Sequence, residues 1–187
     1  MGENLLNKWS EGLGLEKTIH PDEIPKIDLY MDQVIQLFEN KFKDTVRNDK
    51  EKVLTKTMVN NYGKDKLFFP IKKKKYTREH ILLIALIYHL KGALNIPDIK
   101  VTLNEANEKI LKDTLNIEDV YQAYLHIHEK QVDIFEKEIE NKEELVQHMI
   151  CDLKTDDLYT EKLLMIASFV QMSTMYRKAA EKLIDEL

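Results

Sequence analysis

Val120, Tyr121, Tyr124, His128, Val132, Phe135 and Ile139 recur at the spacing of one helical face. They mark a long helix that reaches about Leu153, with Asn141 as a candidate break. Thr155-Asp156-Asp157 is a helix-start signal, and the helix it opens extends nearly to Leu187. Each of these helices has about 30 residues or more and is on the order of 45 Å long. That exceeds the width of a compact domain of this size. An antiparallel helical hairpin shared with a second subunit is the natural way to bury them. The expected fold is therefore all-α, with residues 105–187 as a dimerising hairpin.

The chain has 187 residues, room for one generous domain or two small ones, and its 43% apolar residues can fill a core. Only five glycines and four prolines occur, against 33% charged residues, which favours long helices over strands and turns. The single cysteine, Cys151, excludes an internal disulfide and a Cys-based zinc site, and it fits a reducing cytoplasm. It stands among Met149, Ile150 and Leu153 and reads as a small core residue. No apolar run approaches the roughly 18 residues that cross a membrane. Met1-Gly2-Glu3-Asn4 does not resemble the start of a signal peptide.

Residues 1–27 read as an N-terminal arm. Leu5, Leu6, Trp9 and Leu13 make one short amphipathic helix, with Trp9 expected to pin the arm to the body. Tyr30, Val34, Leu37, Phe38 and Phe42 define a helix from about Asp28 to Lys43. Thr55 caps a short helix carrying Met58, Val59 and Tyr62, and Gly63 is placed to end it in a left-handed conformation. Residues 67–76 lack helical periodicity, contain Pro70 and read as a small β-ribbon with lysines at its tip. Thr77 opens a helix through Leu90 with His80 in the third position after it, and Gly92 ends that helix. Asn95, Pro97 and Asp98 start another, which runs to about Leu103.

Charge is sorted along the chain. Residues 50–91 hold 11 Lys/Arg against 3 Asp/Glu, whereas the whole chain is −5 and residues 105–187 hold 10 against 19. A basic segment in an acidic chain points to a polyanionic partner; the plain alternative is a solvated lysine-rich loop.

Residues 54–103 order a short helix, a basic ribbon, an apolar helix and a short capped helix. Leu54 to Leu67 resembles the recognition helix of the MerR family and its exit toward the wing. Pro70 with Lys72 to Tyr76 resembles a shortened wing. Tyr76-Thr77-Arg78-Glu79-His80-Ile81 stands where that family has Tyr-Ser-x-Glu-Asp-Leu, and Ala93 to Ile99 is similar to its Gly-Phe-Ser-Leu-x-Glu-Ile. A closer resemblance, from about residue 19 to the C-terminus, is to the bacterial domain of unknown function 1836, through Ile24-Pro25-x-Ile27-Asp28-Leu29-Tyr30-Met31-Asp32-Gln33-Val34 and Leu54 to Tyr62.

The MerR resemblance implies a winged helix-turn-helix domain over residues 28–104 that binds double-stranded DNA. Lys56, Thr57, Asn60, Asn61 and Lys64 would then face the major groove, where Asn pairs with adenine and Lys reaches guanine or phosphate. Lys72, Lys73, Lys74 and Lys75, with Tyr76 and Arg78, would grip the backbone. MerR-type helices carry Arg and Tyr where this chain has Asn60 and Asn61, and their wing is longer.

Catalytic and metal signatures are missing. His126 and His128 diverge on a helix, and His80 and His89 lie on opposite sides of theirs. No glycine-rich phosphate loop and no Gly-x-Ser-x-Gly turn occurs. Leu163 to Val170 is apolar nearly all round and needs cover, either a partner subunit or a bound apolar ligand among Met165, Met172 and Met175. The expectation is a cytoplasmic, non-enzymatic, homodimeric transcriptional regulator without cofactor or metal, open to an unknown effector. The alternative is a helical protein–protein interaction module that uses the same fold without DNA.

Overall fold

The computed structural model describes residues 13–48, 50–153 and 157–187. The expected helix around Leu5, Leu6 and Trp9, and Thr155 and Asp156 of the second start signal, lie outside these. Six α-helices and one two-stranded sheet make up the described chain: β1 (Leu29–Tyr30), α1 (Met31–Phe42), α2 (Lys56–Lys64), β2 (Lys75–Tyr76), α3 (Arg78–Leu90), α4 (Ile96–Leu111), α5 (Ile117–Asp152) and α6 (Leu158–Ile184). The chain divides into two compact units, at His128 inside α5.

The first unit, Gly14–His128, is built around α3. Ile81, Leu82, Leu83, Ile84, Ala85 and Ile87 are all buried, so this helix has almost no solvent face. Each leucine or isoleucine among them contributes about 1.5–3 kcal/mol of burial, and the neighbouring elements cover them. Helix α1 supplies Val34, Phe38 and Phe42 at intervals of four, which place them on one stripe. Ile19 and Ile24, read from sequence as part of a separate arm, are buried in the same core. Arg78 fastens that segment. Its guanidinium donates to the Ile24 carbonyl (3.1 Å) and to both oxygens of Glu118 (2.6 and 2.9 Å), joining the starts of α3 and α5.

Local start signals hold. Thr55 Oγ1 accepts from the Met58 amide (3.1 Å), Asn95 Oδ1 from Asp98 (2.9 Å), and Asp157 from Tyr159 and Thr160 (3.2 and 3.1 Å). Helix α4 runs past Leu103 to Leu111. Asn107, buried within it, donates to the carbonyls of Leu67 and Leu103. Helix α5 passes Asn141 unbroken.

The second unit holds Glu129–Glu186 and, among the described residues before them, Leu13. Gln147 donates to Glu161 (2.8 Å), and Tyr176 to Glu138 (3.3 Å), so α5 and α6 run antiparallel here. The expected hairpin is present. Its core is small: Val146, Ile150 and Met165, with Leu164 and Phe169 against them. Cys151 is exposed and not a core residue.

Gly63 does not end α2. The helix includes it, and the left-handed residue is Lys66 (φ 60°). The Leu67 amide bonds the Tyr62 carbonyl (2.9 Å) and the Lys66 amide bonds Gly63 (3.2 Å), a Schellman closure. Its position is set by the pairing of two buried residues, Tyr62 and Leu67, across the turn. Replacing Lys66 by Gly removes a side chain from a backbone conformation that disfavours it. Lys66→Gly is expected to raise unfolding free energy by about 0.5–1 kcal/mol, and Lys66→Val to lower it by at least about 1 kcal/mol, read from urea midpoints at constant slope.

Candidate nucleic-acid interface

Helix α2 has a buried side and a solvent side. Val59 and Tyr62 face the core, and burial raises the Tyr62 phenol above its ordinary range. Lys56, Thr57, Asn60, Asn61 and Lys64 are all exposed. Their spacing of four, with two adjacent pairs, draws them into one stripe, so the structure brings together the five residues expected for a groove. Lys56 is already paired: its ammonium lies 2.7 Å from Asp32 of α1, in an exposed ion pair that salt screens.

The lysine ribbon differs from its expected form. The strand that pairs with β2 is β1, from the segment before α1, with Leu29 opposite Tyr76 and Tyr30 opposite Lys75. Between Pro70 and β2 the chain makes only a tight turn, closed by the Lys75 amide on the Lys72 carbonyl (2.9 Å) and one bridge between those residues. Lys73 and Lys74 occupy its corners with φ of 51° and 58°. Such a turn favours Asn and Gly because both central residues are left-handed. Two lysines there cost on the order of 1 kcal/mol each. Lys72, Lys73 and Lys74 are exposed.

The remaining three expected contact residues are engaged in the fold. Lys75 is half-buried, with its ammonium 5.3 Å from the Tyr30 ring centre. Tyr76 is 2% exposed and packs edge-on to Phe68 (6.1 Å), so it is a core residue and offers no phosphate contact. Arg78 is held by Glu118 and Ile24, and the carboxylate raises its already high pKa. Its role is structural, as a clamp.

His80 ties the turn to α3. Its Nδ1 accepts from the Thr77 amide (3.2 Å), so its Nε2 carries the proton and donates to the Phe69 carbonyl (3.1 Å). The ring is buried 3.9 Å from the Phe69 ring centre. Burial lowers its pKa, against the opposing pull of the Phe69 carbonyl and of Glu79 and Asp28.

The family described as Domain of unknown function (DUF1836) matches residues 19–124. The chain belongs to this family. No curated protein and no solved structure matches it at a significant level. The family segment covers α2, the lysine turn, the Arg78–Glu118 clamp and the His80 pin. It begins with Ile19, whose buried side chain belongs to the first core, and ends at Tyr124, well before the C-terminus to which the resemblance was expected to extend.

Sequence spacing missed one cluster inside the family unit. His89 of α3 lies with Tyr88, Phe42, Tyr124 and His128, ring centres 5.6–5.9 Å away. The two histidines are far apart in sequence, and only the packing of α5 on α3 joins them. Burial, reinforced by His128, pushes His89 down to about 4. Its Nε2 is buried without a hydrogen-bond partner among the described residues. Burial likewise pushes Tyr124 up to about 12.

Both His80 and His89 titrate below the unfolded value of about 6.5. The unfolded state then binds more protons in acid, so their contribution is intact above about pH 6.5 and is lost as pH falls toward the folded values. Unfolding free energy is expected to drop between pH 7 and pH 5, on the order of 2 kcal/mol from His89 alone. His89→Phe should remove part of that slope in urea titrations, and a stability that rises toward pH 5 would contradict the assignment.

Proposed function

We propose that the chain is a DNA-binding transcriptional regulator of the MerR-like type, without catalysis, cofactor or resident metal, working as a homodimer in the cytoplasm. One observation carries the reading: five polar and basic side chains share the open face of α2, within one unit that also exposes the Lys72–Lys74 turn. A short helix with a polar, partly cationic outer face and an apolar inner face suits a major groove. Asn60 and Asn61 offer paired donor and acceptor groups to adenine, and Lys56 and Lys64 offer charge at the two ends. The turn offers three ammonium groups to phosphates, which position the helix without reading sequence. The strain at Lys73 and Lys74 fits a segment selected for what it touches rather than for stability.

The second unit supports pairing. Tyr159, Leu163, Ile166 and Val170 follow one another at spacings of four, three and four, and are 48–70% exposed. This is the spacing of a coiled-coil seam. A second copy packed along it would give a two-fold dimer and place two α2 helices on one duplex. The same seam supports a second reading, in which the chain is an interaction module and another helical protein occupies the stripe.

A titration of the full chain on duplex DNA at several salt concentrations tests the main reading. Changing Lys72, Lys73 and Lys74 together to Ala should weaken binding on every sequence. It should also flatten the plot of log affinity against log salt by about 0.9 for each phosphate no longer neutralised; an unchanged slope removes the turn from the interface. Asn60→Ala or Asn61→Ala should cost about 1–3 kcal/mol on a preferred site and little on random duplex. Equal losses on both would make these side chains positioning groups. Val170→Glu should yield a monomer in sedimentation, with retained helicity and a sharp fall in DNA affinity. A wild-type chain that sediments as a monomer at tens of micromolar overturns the dimer.

A further inference from the structure

The strand that pairs with the end of the lysine turn carries a side chain outside the set of expected contact residues. In the β1–β2 pair, Leu29 stands opposite Tyr76 and Tyr30 opposite Lys75. Side chains alternate along a strand, so the buried Leu29 and Tyr76 turn inward, and Tyr30 and Lys75 share the outer face. Tyr30 is 54% exposed. Its amide donates to Gln33 Oε1 (2.8 Å), and its ring centre lies 5.3 Å from the Lys75 ammonium. Two residues further on, Asp32 of α1 pairs with Lys56, the first residue of α2 (2.7 Å). Strand β1 therefore borders both parts of the proposed interface: the lysine turn on one side and the N-terminal end of the α2 stripe on the other.

We propose that Tyr30 is a further contact residue of the nucleic-acid interface, its hydroxyl donating to a phosphate of the strand that passes between α2 and the lysine turn. The inference rests on the DNA-binding reading and adds a neutral contact where that reading counts only cations on the backbone. A helix seated in a groove and a turn on the flanking backbone leave a stretch of sugar–phosphate between them. A tyrosine placed there reaches it with a stiff side chain that loses little freedom on binding. Its hydroxyl is one of the neutral groups that bind phosphate oxygens and fix register without reading sequence. The surrounding charge suits an anion. Of the two carboxylates near it in sequence, Asp28 and Asp32, the second is taken by Lys56, and Lys72 to Lys75 supply four ammonium groups. Tyr30 thus takes the part expected of Tyr76, which the core has claimed. The other role open to the ring is to seat Lys75 by cation–π attraction. A phenylalanine ring also does that and lacks the hydroxyl, which separates the two roles.

The test uses the full chain and a random-sequence duplex long enough for two half-sites, titrated at several salt concentrations. Tyr30→Phe should keep the fold, since the ring stays and the hydroxyl is lost from an exposed residue. It should weaken binding about ten-fold, the worth of one hydrogen bond to a charged group. The slope of log affinity against log salt should stay unchanged, because no cation is removed. Tyr30→p-azidophenylalanine should crosslink to the bound duplex under near-ultraviolet light. Unchanged affinity in Tyr30→Phe, or a photoprobe that stays uncrosslinked on bound duplex, overturns the contact and leaves the DNA-binding reading standing. A flatter salt slope in Tyr30→Phe does the same, because the hydroxyl then acts by placing the lysines. A wild-type chain that binds no duplex even at the lowest salt overturns both the contact and the reading it rests on.

Discussion

Helix α3 has almost no polar side to turn toward water. Seven of its side chains are buried, and the remainder are half-covered. A helix of this kind is stable only when other elements surround it, and the first unit is arranged to do so. Helix α1 presents Phe38 and Phe42, with the Tyr88 ring 4.5 Å from Phe42. The segment at Ile19 and Ile24, the short α2, and the first turns of α5 complete the cover. Polar bonds then hold the cover in register: Arg78 at one end of α3 and Asn107 beneath Leu67. The clamp is half-shielded from water and bidentate, the geometry in which an arginine–carboxylate pair is most specific.

This constraint shapes the candidate interface. Because Val59 and Tyr62 must face the core, Lys56, Thr57, Asn60, Asn61 and Lys64 have no choice but to face outward on the same helix. Because Tyr62 and Leu67 must both be buried, the chain reverses at Lys66 in a left-handed conformation, and Phe68 follows into the core. The His80 pin and the β1–β2 pairing then hold both ends of the lysine turn. The turn projects because its base is anchored on two sides. Its own sequence, two lysines in corners suited to Asn and Gly, does not favour the shape it adopts.

The second unit is held by much less. Its hairpin buries only a small cluster, while leucine, isoleucine, valine and tyrosine side chains along α6 stay open. Two helices touching along one line cannot cover both of their apolar faces. One open surface follows on α6, a regular stripe at coiled-coil spacing. The family segment ends at Tyr124, so this hairpin lies beyond what the family match covers.

Much was legible in the amino-acid order because it depends on neighbours within a turn or two. The caps at Thr55, Asn95 and Asp157, the apolar run of α3, the length of the last two helices and the outward face of α2 are local consequences of spacing and side-chain chemistry. Tertiary structure decided whatever depends on residues distant in sequence. Tyr76 and Arg78 look like interface residues in a basic run, yet Phe68 buries one, and Glu118, forty positions away, captures the other. Lys66 rather than Gly63 ends α2 because burial of Leu67 outweighs the preference of glycine for a left-handed backbone. The expected ribbon became a turn because its partner strand comes from Leu29 and Tyr30, across α1, α2 and their loops. His89 meets His128 only through the packing of α5 on α3. Periodicity within a segment sets which side of a helix is apolar. Only the assembled core determines which distant polar group that side meets, since that pairing is chosen by the burial of the whole set at once.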